Sequence, residues 1–293
     1  MNTMRRDRLV RAVVGSALLV AVTMASPPAR AGDKDFVIYA PGFGASASQA
    51  KPYLDKFAAL IEQRLGWKSG SANLAFLDDA KAVADYIDKQ KPGYGLLPPS
   101  YFLELSCRKV ATTPLAAVVG LSSASSSLGK WHVVVKDGTV KDLAGLKGKR
   151  LASNHLQDAR FVSQVVFAGK VAVDKEFVLK PTNSPITPFK WVDRGEADAA
   201  LVDDAQLAHM KTLPFGKSLV VVFSSEQLPP VPIVSFDKVS KPADRAALKK
   251  AITEMCASAD GKPICKEMQV TRFESIDGDG KVFAAAAQRY CGK

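Results

Sequence analysis

Five loops in this 293-residue chain place polar groups after an apolar segment. In RLASNHLQDARF (150–161) the apolar run ends at Ser153, Asn154 and His155, and an apolar pattern of helical spacing begins behind them. Hydroxyl, amide and imidazole groups donate and accept hydrogen bonds, and histidine changes its charge near neutral pH. The loop is therefore suited to hold a polar group of a small ligand. For His155 alone, a surface histidine without a role is the alternative.

A second loop, PGFGAS (41–46), follows the first predicted strand and precedes a helix. Its residues Gly42, Phe43, Gly44 and Ser46 are candidate ligand contacts, because glycines allow backbone N–H groups to point at a guest. The start of a helix also favours an anion. A tight turn with no ligand is the alternative.

The remaining candidates follow three other predicted strands. Ser100 and Tyr101 lie at a helix start in PPSY, where Tyr101 either contacts a ligand or packs in the core. Asp203 follows ADAALV; of Asp203 and Asp204, one caps the next helix and the other can accept from a ligand amine or hydroxyl. Asp78, which ends the second strand, completes the set.

The sequence lacks the usual patterns of catalysis. Gly-x-Ser-x-Gly is absent, and Ser48-Gln-Ala-Lys51 has neither Ser-Asp-Asn nor Lys-Thr-Gly as a companion. The run GLKGKR (145–150) lacks the spacing of a phosphate-binding P-loop. We therefore predict a protein that is not an enzyme and needs no cofactor.

A metal site is not predicted either. SIDGDGKVFAAA (275–286) resembles half of a calcium loop, with Asp277, Asp279 and Gly280 in register, but Ala286 stands where a bidentate Glu is needed. A tight polar turn is the preferred interpretation. The three histidines of the chain fall at no zinc-ligand spacing.

Strand-like and helix-like segments alternate along the chain. FVIYA (36–40), ANLAF (72–76) and YGLL (94–97) have strand patterns, separated by amphipathic segments; the first begins with a capping box, Ser46 to Gln49. The alternation resumes with WHVVVK, RLAS, FVL and ADAALV, where VKDLAGLKGK (140–149) is expected to form a small helix. This repetition predicts an α/β fold with mostly parallel sheets flanked by helices.

Two boundaries interrupt the alternation, at GLSSASSSLGK (120–130) and SSEQLPPVP (224–232). We predict two lobes joined by two crossovers: 32–120 as the first part of lobe 1, 121–223 as lobe 2, and 224–293 as a return segment that completes lobe 1. Ligands of such sheets bind at the carboxyl ends of the strands, so the polar loops are expected to face one cleft.

The first 31 residues have the features of a secretory signal. MNTMRRDRLVR is basic, VVGSALLVAVTMA is apolar, and Ala29-Arg30-Ala31 is a small-x-small cleavage site. The apolar run is shorter than the roughly 20 residues of a membrane span. We predict cleavage and export, with an uncleaved anchor as the alternative.

Charge and cysteine content fit an exported binding protein. The net charge is +11, but basic residues are interspersed with acidic ones, so no nucleic-acid partner is predicted. The even number of cysteines indicates disulfides. Cys256 and Cys265 flank a short turn and are the first choice of pair; Cys107 with Cys291 follows by elimination.

Six segments, taken in order, resemble a known family: YLDKFAALIEQRLGW, YGLLPPSYFL, PLAAVVG, VKDLAGLKGKRLAS, VDRGEADAALVDD and LPPVPIVSFDKVSKPADRAALKKAI. They are similar to the periplasmic substrate-binding proteins of ABC transporters, and most of all to the phosphate/phosphite/phosphonate-binding family. The resemblance implies a type II periplasmic-binding-protein clamp, a small-molecule ligand bound without reaction, a membrane ABC permease as partner, a monomer, and a periplasmic location.

One loop departs from that family. Phosphonate binders commonly have a Ser-Thr-Ser-Gly-like loop, and this chain has Ser153-Asn154-His155-Leu156, of which only the first serine matches. A phosphate- or phosphonate-type anion is the leading expectation; a carboxylate, sulfonate or hydrophobic ligand, or a sensor role, is the alternative. Five apolar residues are also expected near the cleft: Leu96, Leu97, Phe102, Trp131 and Trp191.

Overall fold

A computed structural model describes residues 32–41, 46–120, 128–276 and 280–292, with only the backbone of Gly280. The predicted signal segment, the candidate contacts Gly42, Phe43 and Gly44, and Asp277 and Asp279 of the calcium-like turn lie outside the described residues. Within the described ranges, no helix combines the length and the apolar character needed to cross a bilayer.

Strands and helices alternate through most of the described chain. In order, the elements are β1 (Phe36–Tyr39), α1 (Ala47–Leu65), β2 (Leu74–Leu77), α2 (Ala80–Gln90), β3 (Tyr94–Leu96), α3 (Pro99–Cys107), β4 (Thr112–Gly120), β5 (Trp131–Lys136), β6 (Arg150–Ser153), α4 (Ala159–Phe161), α5 (Val173–Glu176), β7 (Val178–Pro181), α6 (Thr187–Asp193), β8 (Ala199–Asp203), α7 (Asp204–Met210), β9 (Leu219–Ser224), β10 (Pro232–Phe236), α8 (Pro242–Thr253), α9 (Gly261–Glu267), β11 (Val270–Ser275) and α10 (Gly280–Cys291). Short 3-10 turns occur at Ala144–Leu146, Gly216–Ser218 and Met255–Ala257, and a π-helical turn at Val162–Val166 continues α4.

The strands form two sheets. The first has the order β11-β4-β10-β3-β1-β2, and the second has the order β7-β6-β8-β5-β9. All strands of the second sheet therefore come from the middle of the chain, whereas β10 and β11 return to the first sheet.

The sheets are mixed, which refines the expectation of mostly parallel sheets. β1 is parallel to β2 and β3, and β6 is parallel to β7 and β8, as the β-α repetition predicts. β10 is antiparallel to β3 and β4, and β5 is antiparallel to β8 and β9. Two parallel strands of one sheet must be connected by a crossover, usually a helix, that returns the chain to the same end of the sheet. The chain instead enters β5 and β10 directly from the other sheet, which allows both strands to run antiparallel to their neighbours.

Both faces of the second sheet are buried. Val133 and Val135 of β5 belong to one apolar cluster, and Val134 between them belongs to another. Neighbouring residues of a strand point to opposite faces, so helices cover this strand on both sides. The first of these clusters also contains Val37 and Leu97 of the first sheet, so it is continuous through both sheets.

One predicted helix is much shorter than expected. VKDLAGLKGK forms only the 3-10 turn Ala144–Leu146. Gly145 lies inside this turn, and Gly148 beyond it has a φ of +75°, which ends helical geometry. Glycine is unfavourable in a helix interior by about 1 kcal/mol relative to alanine, which accounts for the difference.

Two disulfides are present in the structure. Cys107, at the end of α3, is joined to Cys291, at the end of α10, with a Cα–Cα distance of 5.6 Å. Cys256 is joined to Cys265 of α9, also at 5.6 Å. The first bridge therefore fastens the C-terminal helix to a helix of the first sheet.

Candidate functional site

The polar loops of the second sheet meet at the carboxyl ends of β6 and β8. These strands are parallel neighbours, so Ser153 at the end of β6 lies beside the end of β8. The Ser153 hydroxyl is fully buried, donates to the Leu201 carbonyl oxygen at 2.6 Å and accepts from the His155 N–H at 3.0 Å. Its role is therefore to fix the loop to β8.

Gln206 connects the two strand ends. Its Nε2 donates to Asn154 Oδ1 at 3.0 Å and to the Pro185 carbonyl oxygen at 2.8 Å. Its Oε1 accepts from the Asp203 N–H at 3.0 Å and lies 2.9 Å from His155 Nε2. Since Oε1 is an acceptor, His155 Nε2 bears a hydrogen.

Gln206 was not among the predicted site residues, although the sequence contained a signal for it. Asp203 and Gln206 have the spacing of a capping box, and both hydrogen bonds of that box are present at the start of α7. Asp203 is thus the helix cap, and it accepts from the Gln206 N–H at 2.8 Å.

The His155 ring lies between an acid and an indole. Its Nε2 is 3.4 Å from Asp203 Oδ2, and the ring centroid is 4.5 Å from that of Trp131. Trp131 reaches this position because it pairs with Asp203 across β5 and β8. A carboxylate and an aromatic face are both favourable neighbours for a cationic ring.

Asp203 is the charge partner of His155. Burial raises the pKa of this carboxyl, but the hydrogen bond and charge of His155, with the backbone N–H groups of Gln206 and Ala205, bring the pKa below its ordinary value. Asp203 is therefore a carboxylate at neutral pH and places a negative charge beside the His155 ring.

Asp204 has a different role from its neighbour. Its Oδ1 is 2.8 Å from Nε2 of the buried His132, and its Oδ2 accepts from the Lys130 N–H at 2.6 Å. His132 Nδ1 is hydrogen-bonded to Ser224 Oγ at 2.8 Å. These contacts join the start of β5 to the ends of β8 and β9. Across the described part of the chain, no three acidic, histidine or cysteine side chains are grouped as metal ligands.

The candidates of the first sheet occupy separate positions. Ser46 is the exposed cap of α1, in the predicted capping box with Gln49. Asp78 is exposed between β2 and α2, and Asp79 is the cap of α2. Ser100 is half-buried in the first turn of α3. Among the described residues, no hydrogen bond joins these side chains to the His155 loop.

Tyr101 is buried, and its ring packs edge-on against Tyr39 at 5.1 Å. Its hydroxyl has no hydrogen-bond partner among the described residues. Burial, followed by the charge of Glu104, raises the pKa of Tyr101 to about 12. The sequence allowed Tyr101 either to contact a ligand or to pack in the core, and the structure shows its ring packed in the core. Its hydroxyl is neutral at physiological pH and can donate a hydrogen bond.

The ends of the two sheets lie close together near Tyr39. Burial raises the pKa of this residue to about 12, and the carboxylates of Asp79 and Asp158 add to the effect. Asp79 precedes α2 of the first sheet, whereas Asp158 ends the loop that contains His155. Tyr39 at the end of β1 therefore lies within electrostatic range of both carboxylates.

Comparison with known families identifies the protein class. A family model described as the periplasmic substrate-binding protein of phosphonate ABC transporters matches residues 44–280. The chain belongs to this family. Its members are solute-binding proteins of transport systems and are periplasmic, which agrees with the expected class and location. Among curated proteins, none matches the chain.

Solved structures of similar fold cover nearly the whole chain. XAC2383 from Xanthomonas citri, solved with ATP, has a TM-score of 0.67 at 14% identity and covers 88% of this chain and 98% of its own. A binding protein component of an ABC phosphonate transporter from Pseudomonas aeruginosa has a TM-score of 0.62 at 17% identity and covers 87% of this chain and 86% of its own. PhnD1 from Prochlorococcus marinus, in complex with methylphosphonate, has a TM-score of 0.60 at 12% identity and covers 89% of this chain and 100% of its own. The predicted type II two-lobed fold is confirmed.

Proposed function

We propose that this protein captures a phosphonate-class anion in the cleft between its two lobes and delivers it to the permease of an ABC transporter. One observation carries the proposal: the ring of His155 is held by Gln206 and Asp203 at the carboxyl ends of β6 and β8. The lobes are residues 32–120 with 224–293, and residues 121–223, after removal of residues 1–31 on export.

His155 supplies the donor that the usual hydroxyl loop would supply. Its Nε2 hydrogen is used by Gln206, and no hydrogen bond engages Nδ1 within the described residues. A protonated ring donates from Nδ1, and a hydrogen bond from a cation to an anion is about twice as strong as one between neutral groups. We propose that the His155 ring takes the place of the hydroxyl loop in holding the anion.

Asp203 and Gln206 hold the His155 ring in a fixed orientation before the ligand binds. The Asp203 carboxylate lies 3.4 Å from His155 Nε2, and Gln206 fixes the orientation of the ring. The hydrogen bonds of Ser153 hold the loop backbone in the same conformation. Less ordering is then needed on binding, which increases affinity.

The relatives support this ligand class. PhnD1 from Prochlorococcus marinus was solved with methylphosphonate, and the Pseudomonas aeruginosa protein is a component of a phosphonate transporter. Because the family consists of transport proteins, we propose that the ligand is carried unchanged by a monomer that uses no cofactor. The energy for lobe closure comes from contacts that are better in the closed state.

A thermal-shift panel on the mature protein tests the ligand class. We expect methylphosphonate, phosphite, phosphate or 2-aminoethylphosphonate at about 100 times its Kd to raise Tm by roughly 5–10 °C, because bound ligand adds about 2.7 kcal/mol. Alkyl sulfonates and carboxylates of similar size serve as controls. A Tm shift with a control anion and none with any phosphorus anion would overturn the proposal.

A further inference from the structure

The C-terminal helix α10 contacts the helices of both lobes. On the first-lobe side, Phe283 packs edge-on against Phe102 of α3, with ring centroids 5.0 Å apart. The disulfide between Cys291 and Cys107 fastens the end of α10 to the end of α3. This end of the helix is therefore covalently fixed to the first lobe.

The residue before that disulfide contacts the second lobe. The Tyr290 hydroxyl donates to Asp158 Oδ2 at 2.9 Å, and the Arg160 guanidinium lies 4.8 Å from the centre of the Tyr290 ring. Tyr290 is 4% exposed. Burial and the Asp158 charge raise the pKa of Tyr290, so the phenol remains a donor at neutral pH.

Asp158 uses its two oxygens for two different purposes. Oδ1 accepts from the Phe161 N–H at 2.8 Å and caps α4, while Oδ2 accepts from Tyr290. Asp158 is also the last residue of the 154–158 loop that contains His155. The same carboxylate thus ends the candidate binding loop and attaches it to α10.

We propose that Tyr290 is a positioning residue for ligand binding. Because Cys291 is bonded to α3, Tyr290 moves with the first lobe, and its hydrogen bond holds the 154–158 loop of the second lobe against that lobe. The inference rests on the proposed function, since the loop matters for binding only if His155 contacts the ligand. A second α10 contact, Arg289 with Glu226 at 2.8 Å, is exposed and adds little.

Hydrogen exchange of the mature, oxidised protein tests the attachment without any ligand. We expect Tyr290→Phe to speed exchange of the backbone amides of 154–161 roughly tenfold, because it removes one hydrogen bond to a charged group. Asp158→Ser keeps a helix-capping oxygen but no longer reaches Tyr290, and we expect the same change. Tyr86→Phe is the matched control, because Tyr86 accepts from Asn73 Nδ2 at 3.1 Å within the first lobe.

The outcomes separate this inference from the proposed function. Faster exchange of 154–161 in Tyr290→Phe and Asp158→Ser but not in Tyr86→Phe supports the attachment; equal exchange in all three variants and wild type overturns it. In a parallel titration with methylphosphonate, we expect the first two variants to bind roughly tenfold more weakly than Tyr86→Phe. If wild type does not bind methylphosphonate, the proposed ligand is wrong, and the exchange result still decides whether Tyr290 holds the loop.

Discussion

His155 is the residue on which the binding account depends. In the proposed function its ring stands where other members of the family have hydroxyls; Nε2 lies 3.4 Å from Asp203 Oδ2, and Gln206 sets the orientation of the ring. Coulomb interactions between partly buried charges are several-fold stronger than in water, so the Asp203 carboxylate acts strongly on the ring beside it. Affinity is therefore expected to be sensitive to the neighbours of His155.

The first prediction concerns Asp203. We expect Asp203→Asn to weaken methylphosphonate binding roughly tenfold, because it removes the negative charge 3.4 Å from His155. Asparagine retains the helix cap, so the fold is expected to persist. Calorimetric titration measures the change, and Asp79→Asn, at the cap of α2, is the matched control. Equal losses of affinity in both variants would show that the effect is not local to His155.

The second prediction follows from the lowered pKa of Asp203. The pKa of Asp203 in the folded state lies below its pKa of about 3.9 in the unfolded state. The carboxylate therefore stabilises the fold at pH values above the unfolded-state pKa. This stabilisation is lost as the pH falls through the folded-state pKa. We expect the difference in free energy of unfolding between wild type and Asp203→Asn to shrink from about pH 5 towards pH 2. Urea unfolding across this range measures it. A difference independent of pH would contradict the assignment.

The sequence located this group of residues better than it located their roles. Ser153, Asn154, His155 and Asp203 stand out because each follows an apolar strand. The contact with Trp131 depends on the pairing of β5 with β8, which a single sequence does not specify. Asp203 and Asp204 are identical in type and adjacent, and only the capping-box spacing from Asp203 to Gln206 indicates which of them caps α7.

Elements with one strong local signal were predicted well. The capping box before α1 and the apolar run of β6 are both present in the structure. β11, with the sequence VTRFES, was missed because its charged residues obscure the strand pattern; it is an edge strand, where such residues are tolerated. Tertiary pairing with β4, rather than local propensity, defines it.

The third prediction concerns the two disulfides. The Cys107–Cys291 bridge spans a sequence separation of 184, and the Cys256–Cys265 bridge spans 9. Loop-closure entropy predicts that replacing both cysteines of the long bridge with alanine costs about 5 kcal/mol, against about 2–3 kcal/mol for the short bridge. Urea unfolding of the two double variants measures both values. A larger loss from the short bridge would contradict the entropic account.

At the scale of the whole molecule, the order of strands and helices was sufficient to predict two α/β lobes with two crossovers. It was not sufficient to predict the direction of β5 and β10, because direction depends on whether a helix returns the chain to the same sheet. Ligand class depends on side chains that come together from distant strands, so it followed from the family rather than from local patterns.

The fourth prediction concerns lobe closure. If the lobes close around the ligand, saturating methylphosphonate is expected to lower the radius of gyration measured by small-angle X-ray scattering. His155→Gln is expected to reach the same decrease only at a ligand concentration at least roughly tenfold higher, since a contact that favours closure is lost. An unchanged radius in ligand-saturated wild type would contradict hinge closure while leaving binding itself in place.

The most direct test of the central claim is a calorimetric titration of methylphosphonate into wild type, His155→Gln and His209→Gln. His209 is an exposed residue of α7 and is therefore the matched control. The account predicts saturable binding to wild type, the same affinity for His209→Gln, and at least a tenfold loss for His155→Gln, because glutamine removes the imidazole ring that Gln206 and Asp203 hold in place. Wild-type affinity in His155→Gln would contradict the claim that this ring holds the anion.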